Sequence, residues 1–352
     1  MSLHVAVAGW LLGAPSGANR RLLGLLGHLG PLLRPDEQVT LLHRADTQSP
    51  VLPGIRCVPV AIPGASTWSR LRAERRVLPS LLRALDAGVF DHGFLLPPPV
   101  PMPTCLTLHD VRAADGQTRW PRWLGRALVR HAAARAAAIV VPSEFTAGRV
   151  RALVGPRARV HVVPNGVDLP PLAQPTREPG QHLLHVGHLE PRKHLELLLH
   201  ALALLPADAR PSLVLVGQDA GSWRPLARTA ARLGVAVDWR GPLADAAVAP
   251  LLATARAVVV PSRYEGFGLL ALEGLAHGRP VLVASAGALP EVVGNAGVVL
   301  PDEPKAWAQA IAATATLACP SASAARRRRA AAFAWPAAAE SLLQVWRRLG
   351  RS

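Results

Sequence analysis

Residues 257–273 read AVVVPSRYEGFGLLALE. Ala257 to Val260 form an uninterrupted apolar, β-branched run, the kind that makes a strand buried on both faces of a parallel sheet. Pro261 closes the run, Gly266 and Gly268 mark a turn, and Leu269 to Glu273 are strong helix formers. The unit is therefore strand, glycine turn, helix. Glycines in such a turn let the backbone approach a ligand, and the free N–H groups of the helix start can hold a diphosphate. Glu265 stands before the helix and Glu273 one to two turns inside it, so the carboxylates can address opposite ends of one ligand, such as a sugar and a ribose. The residues alone also fit a structural turn followed by a solvated glutamate.

Working outward, similar apolar runs stand at 3–9, 39–43, 104–108, 138–141, 183–187 and 213–217, separated by segments rich in arginine, leucine and alanine. Strands alternating with helices in this way imply βαβ units and parallel sheets. The alternation breaks over 164–180, a stretch of prolines and glycines, and then restarts. A chain of 352 residues suits two domains of ordinary size. The expected division is 1–170, a linker at 171–180, 181–330, and a closing helix within 331–352. Each half reads as a Rossmann-like unit, with ligands outside the carboxyl ends of its strands and the active site between the halves. Arg326 to Arg329 read as a basic linker ahead of an amphipathic helix from Trp335 to Leu349.

No apolar stretch reaches the roughly 18 residues of a membrane-spanning helix, and the first residues lack a signal peptide's basic and apolar regions, so a cytoplasmic location is expected. Cys57, Cys105 and Cys319 are far apart and form no metal-ligand spacing; they read as reduced core thiols. The net charge of +16 favours anionic partners. Arg70, Arg72, Arg75, Arg76 and Arg83 interleave with leucines on a helix expected at 70–85. That is either a solvated face or a surface for an anionic membrane, which would put the enzyme peripherally on its inner side. Nucleic acid is not expected: its usual motifs are absent, and one tyrosine and five phenylalanines leave little for base stacking.

Glu265-x7-Glu273, with Gly266-Phe267-Gly268-Leu269 inside it, resembles the signature of the retaining glycosyltransferases of family four. Ala276-His277-Gly278-Arg279-Pro280 and Gly287-Ala288-Leu289-Pro290-Glu291 match the family's usual continuation. The resemblance covers nearly the whole chain and implies an α/β protein of GT-B fold: two Rossmann-like domains facing across a cleft, with a C-terminal helix crossing back to the first. It implies that Glu273 holds the ribose, Glu265 the transferred sugar, and Gly268 and Leu269 the diphosphate. Where relatives often have proline, this chain has Leu270.

After the strand at 183–187 comes His188-Leu189-Glu190-Pro191-Arg192-Lys193. An Arg-Lys pair could stabilise charge developing on a leaving diphosphate, or simply be solvated at a helix start, where cations oppose the helix dipole. The family carries a lysine that Lys193 matches; many relatives have arginine where His188 stands, and Arg192 could supply that charge. His109 matches a histidine that the family directs at the donor sugar, with Asp110 as its orienter; without the resemblance, Asp110 could just as well cap a turn. Gly17, in the loop Gly13 to Arg20, is similar to the family's diphosphate loop. Arg240, beside Trp239, stands where the family meets the nucleobase. Pro164-Asn165-Gly166 looks like its hinge, and Trp335 reads as packing.

The chain has no Asp-x-Asp, so a metal-free enzyme with no cofactor is expected. The resemblance is strongest to polysaccharide-assembly members, implying hexosyl transfer with retention from GDP-mannose, or alternatively a UDP-hexose, to a glycan or lipid-linked acceptor. The alternative in kind is a catalytically inactive nucleotide-sugar-binding or scaffold protein.

Overall fold

The computed structural model describes residues 3–13, 16–64, 66–118, 120–171 and 182–351. Contacts divide the chain into two compact units. One comprises residues 1–166 with 334–352, and the other residues 167–333. The linker expected at 171–180 falls, after its first residue, outside the described residues.

The first unit holds β1 (His4–Ala8), α1 (Gly17–Gly27), β2 (Gln38–Arg44), β3 (Arg56–Val60) and α2 (Thr67–Ala84). It continues through β4 (Val89–His92), β5 (Thr104–Thr107), α3 (Arg122–Arg135), β6 (Ala138–Val141), α4 (Glu144–Val154) and β7 (Val160–Val162). Its sheet is parallel, in the order β3-β2-β1-β4-β5-β6-β7. All five residues of β1 are buried because both faces are covered. Val5 and Val7 pack with α1 leucines and the C-terminal helix, while Ala6 and Ala8 pack with Leu78 and Leu82 of α2. Ser143 starts α4 by accepting the Thr146 N–H, and Ser16 starts α1 by accepting that of Asn19.

The second unit runs β8 (His182–Val186), α5 (Glu196–Ala203), β9 (Ser212–Val216), α6 (Trp223–Leu233), β10 (Val237–Trp239) and α7 (Asp245–Thr254). There follow β11 (Ala257–Val260), α8 (Leu269–Ala276), β12 (Val281–Ala284), α9 (Leu289–Val293), β13 (Val298–Leu300), α10 (Pro304–Ala312) and α11 (Pro320–Ala331). The six strands are parallel, in the order β10-β9-β8-β11-β12-β13. The order reverses between β8 and β11, and doubly wound sheets bind ligands at such a switch point.

Arg326 to Arg329 are not a linker. They lie in α11, where Arg326 donates to the Gly278 and Leu317 carbonyls, Arg327 to Ala276, and Arg329 to Glu291 and Val292. Apart from that of Leu317, these carbonyls lie at and beyond the ends of α8 and α9, where helices leave them unpaired. The cysteines are free thiols, but Cys319 is exposed, so only Cys105 is a buried core thiol.

The closing helix, α12 (Trp335–Leu349), belongs to the first unit. Trp335 and Trp346 are buried there, and a Cβ on Gly24 or Gly166 would meet Trp335 at 2.5 Å. Trp346 Nε1 donates to the buried carboxylate of Asp91 at 2.8 Å, and Arg347 grips both oxygens of Glu37 at 2.7 Å. Trp346→Phe keeps most of the packing but deprives Asp91 of a donor, so urea unfolding is expected to show a loss of about 1–3 kcal/mol.

Candidate active site

β8 and β11 deliver two loops to the switch point of the second unit. The first passes through Gly187 and His188 into a short 3₁₀ turn at Pro191–Lys193; the second is 261–268, leading into α8. Arg263 N–H donates to the Arg192 carbonyl at 2.9 Å, joining the two loops. Across this seam Lys193 Nζ lies 2.7 Å from Glu265 Oε1, and Arg192 Nη1 lies 3.3 Å from Glu265 Oε2. Arg192 also donates to the Tyr264 carbonyl at 2.9 Å and meets Glu190 at 2.6 Å.

Burial pushes the Glu265 carboxyl up, but Lys193, then Arg192, outweigh it and hold its pKa at about 2. Glu265 is thus an ionised acceptor of hydrogen bonds at any working pH. With a folded pKa below the ordinary value of 4.5, it stabilises the fold above that pH, and the stabilisation is lost as pH falls through about 2. Wild type should therefore exceed Glu265→Gln in unfolding free energy at pH 7. The gap should narrow as the pH is lowered below about 4.5 in urea titrations.

Gly268, at φ +108°, forms the N-cap of α8, and a Cβ there would stand 2.7 Å from Leu289. Leu269 is the first helical residue, and the first N–H groups of a helix, which have no acceptor within it, suit an anion. Phe267 is buried edge-on to Phe333, and Gly266 completes the turn. Glu273 is half-buried on α8. Arg240 follows β10 at the same edge of the sheet, and its Nε donates to Asp238 at 2.8 Å. Trp239 packs against Trp223 at a tilt of 39°, with ring centroids 4.8 Å apart.

In the first unit, His109 and Gly17 lie at the carboxyl edge of the sheet, His109 just beyond β5 and Gly17 at the first position of α1. A cavity of about 50 Å³ is lined there by Ala18, Arg21, Asp91, Gly93, Thr107 and His109 among others. Burial, assisted by the Arg21 cation, pushes the His109 pKa down to about 3, so the imidazole is neutral in use. Arg21 is fully buried and donates to Val163 and Asn165. Asp110 is not the orienter of His109: its Oδ1 accepts the Arg112 N–H at 3.0 Å, the turn-capping role.

Sequence reasoning missed three contributors to the second unit's site: Glu190, the buried His185 beneath it, and Gly287 behind Glu265. His185 had a signal, being a titratable residue inside an otherwise apolar strand. Among the described residues no three His, Cys, Asp or Glu side chains converge as a metal ion would require.

Two parallel-sheet Rossmann-like units, the second with a carboxylate and two cations gathered at its switch point, define a protein of GT-B fold. Family descriptions agree: residues 16–170 match Glycosyltransferase Family 4, and residues 180–316 match Glycosyl transferases group 1. The chain belongs to this glycosyltransferase family. It is 34% identical over 218 residues to the D-inositol 3-phosphate glycosyltransferase of Jonesia denitrificans, covering 54% of this chain and 51% of that one. It is 37% identical over 166 residues to the GDP-mannose-dependent alpha-(1-6)-phosphatidylinositol dimannoside mannosyltransferase of Mycobacterium tuberculosis, covering 46% and 42%. The chain thus spans about half the length of these relatives. Among solved structures, the sucrose-phosphate synthase of Thermosynechococcus elongatus superposes with a TM-score of 0.82 at 20% identity, over 99% of each chain. This shared architecture is the GT-B fold.

Proposed function

We propose that the protein transfers a hexose, with retention and without a metal ion, from a nucleotide diphosphate sugar to a glycan or lipid-linked acceptor in cell-surface polysaccharide assembly. The observation that carries this reading is the contact of Lys193 and Arg192 with Glu265 across the switch point, in the loop that leads into α8. Glu265 takes the sugar hydroxyls, Glu273 the ribose, Gly266 to Leu269 the diphosphate, and Arg240 the base. Lys193 and Arg192 neutralise charge on the departing diphosphate. Gly17 and His109 serve from the first unit, on the diphosphate and the sugar. The acceptor oxygen bonds to the anomeric carbon on the face from which the phosphate leaves, and a phosphate oxygen takes the acceptor's proton. GDP-mannose is the favoured donor, in line with the mannosyltransferase relative, and a UDP-hexose is the alternative.

Arg72, Arg75, Arg76 and Arg83 are exposed on α2, and Trp68 near its start is 77% exposed, a combination suited to the headgroup region of an anionic membrane surface. Arg70 is excepted: it pairs with buried Glu74 and lies 4.0 Å over Phe94. No described helix is long and apolar enough to cross a membrane. His188, where relatives have arginine, favours one second reading: a catalytically inactive protein that binds nucleotide sugar.

The test is binding and slow hydrolysis across UDP-, GDP-, ADP- and dTDP-sugars without added metal, with Glu273→Ala and Lys193→Ala as controls. One nucleotide sugar that binds, is hydrolysed and loses affinity in both variants supports the transferase. Binding without turnover supports the inactive reading, and no binding by folded protein removes the donor-site assignment.

A further inference from the structure

Beneath the Lys193–Glu265 pair lies a histidine to which the site's chemistry has so far given no task. His185 is fully buried in β8, with β9 on one side and β11 on the other. Its Nδ1 is 2.9 Å from the carbonyl oxygen of Val259 in β11. A carbonyl only accepts, so Nδ1 carries the ring proton and donates it. The neutral ring therefore has a bare lone pair at Nε2, and Nε2 is buried with no hydrogen-bond partner. An unmet acceptor costs stability, and in a native structure such an atom calls for a reason.

The position of Nε2 supplies one. A Cβ built on Gly187 would lie 3.5 Å from His185 Nε2 and 3.4 Å from Lys193 Nζ, so both atoms border the small space over Gly187. Lys193 has three N–H donors, one of them directed at Glu265. We propose that His185 is a positioning residue for Lys193: its Nε2 lone pair receives an N–H of the ammonium group from the buried side. This rests on the donor-site reading above. When Glu265 turns to the sugar hydroxyls, Lys193 loses its carboxylate partner and must still present its charge to the diphosphate. An acceptor fixed in the sheet keeps the ammonium in place through that exchange, whereas a second carboxylate there would cancel its charge.

The surroundings suit a neutral acceptor. Burial, followed by the Lys193 cation, holds the His185 pKa at about 4, with Arg192 acting in the same direction and Glu265 and the Val259 carbonyl against it. A protonated ring would lose its lone pair and repel Lys193, so the arrangement works above about pH 4 and fails below it.

Two measurements test this. In ¹⁵N-histidine-labelled protein, with the His185 signals assigned from their absence in His185→Gln, Nε2 should be unprotonated between pH 6 and 8 and should shift in Lys193→Met. A protonated Nε2, or one indifferent to Lys193→Met, overturns the proposal. In hydrolysis of GDP-mannose or UDP-glucose, His185→Phe should lower kcat about tenfold with KM nearly unchanged, while His185→Gln, whose amide oxygen can replace Nε2, should recover most of it. Equal losses in both variants, or none in either, overturn it as well. Should wild type hydrolyse neither sugar nucleotide, the functional reading fails by itself, and the labelled histidine still decides whether Lys193 rests on His185.

Discussion

Lys193→Ala is expected to lower kcat for donor hydrolysis and transfer by roughly a hundred- to a thousandfold, the usual loss when one preorganised charge is removed from a leaving group. Its neighbour should behave differently. Arg192 is tied to Glu190, to the Tyr264 carbonyl and to Glu265, so its guanidinium holds the two loops together as well as lending its charge to the site. Lys193 carries a compact charge on a flexible stem and can follow the phosphates. Arg192→Ala should therefore cost more in unfolding free energy than Lys193→Ala and less in kcat. The pair of variants, compared by kcat and by urea unfolding, separates the two roles. If the two lose kcat equally at equal stability, the division of labour assigned to them is wrong. If neither loses kcat, the cations take no part in the chemistry.

The sequence announced strands where burial on both faces leaves a largely apolar run. β1, β2, β5, β6, β8, β9 and β11 all fall on such runs. β3 did not show because it lies at the sheet edge, partly exposed and interrupted by Pro59. β4 ends in Asp91 and His92, polar residues that are buried because Trp346 and Glu74 supply their partners from elsewhere in the chain. β7, β10 and β13 are three residues each, too short for any period to register. The site divides in the same way. Glu265 to Glu273 are contiguous, so their spacing is visible in one line of sequence. The partners that set their chemistry are not: Lys193 stands 72 residues from Glu265. His194 and Arg263 both meet Asp302, joining the ends of the two loops to the segment after β13. Only the strand order brings such residues together. Arg326 to Arg329 misled for a related reason, since a charged run looks solvated until the carbonyls it satisfies are in view.

Gly287→Val is expected to abolish most activity and to cost about 2–4 kcal/mol, because this glycine lets the chain pass behind Glu265. Its φ is +60°, a conformation that a β-branched residue adopts only under strain. A Cβ there would lie 2.4 Å from the Glu265 carbonyl oxygen and 2.7 Å from its nitrogen, and both are backbone atoms that cannot rotate aside. The same carbonyl accepts the Ala288 N–H at 3.0 Å, so relieving the clash means breaking that bond and moving Glu265 away from Lys193. Misplacing a catalytic group by about an ångström costs on the order of a hundredfold in rate, so kcat should fall more steeply than the fraction of folded protein. Gly148→Ala is the control. That glycine lies inside α4, nothing stands within 4 Å of its would-be Cβ, and alanine there should stabilise by roughly 0.5–1 kcal/mol while leaving activity unchanged. A Gly287→Val protein with normal kcat would mean that Glu265 can move without loss, and its place in the chemistry would have to be given up.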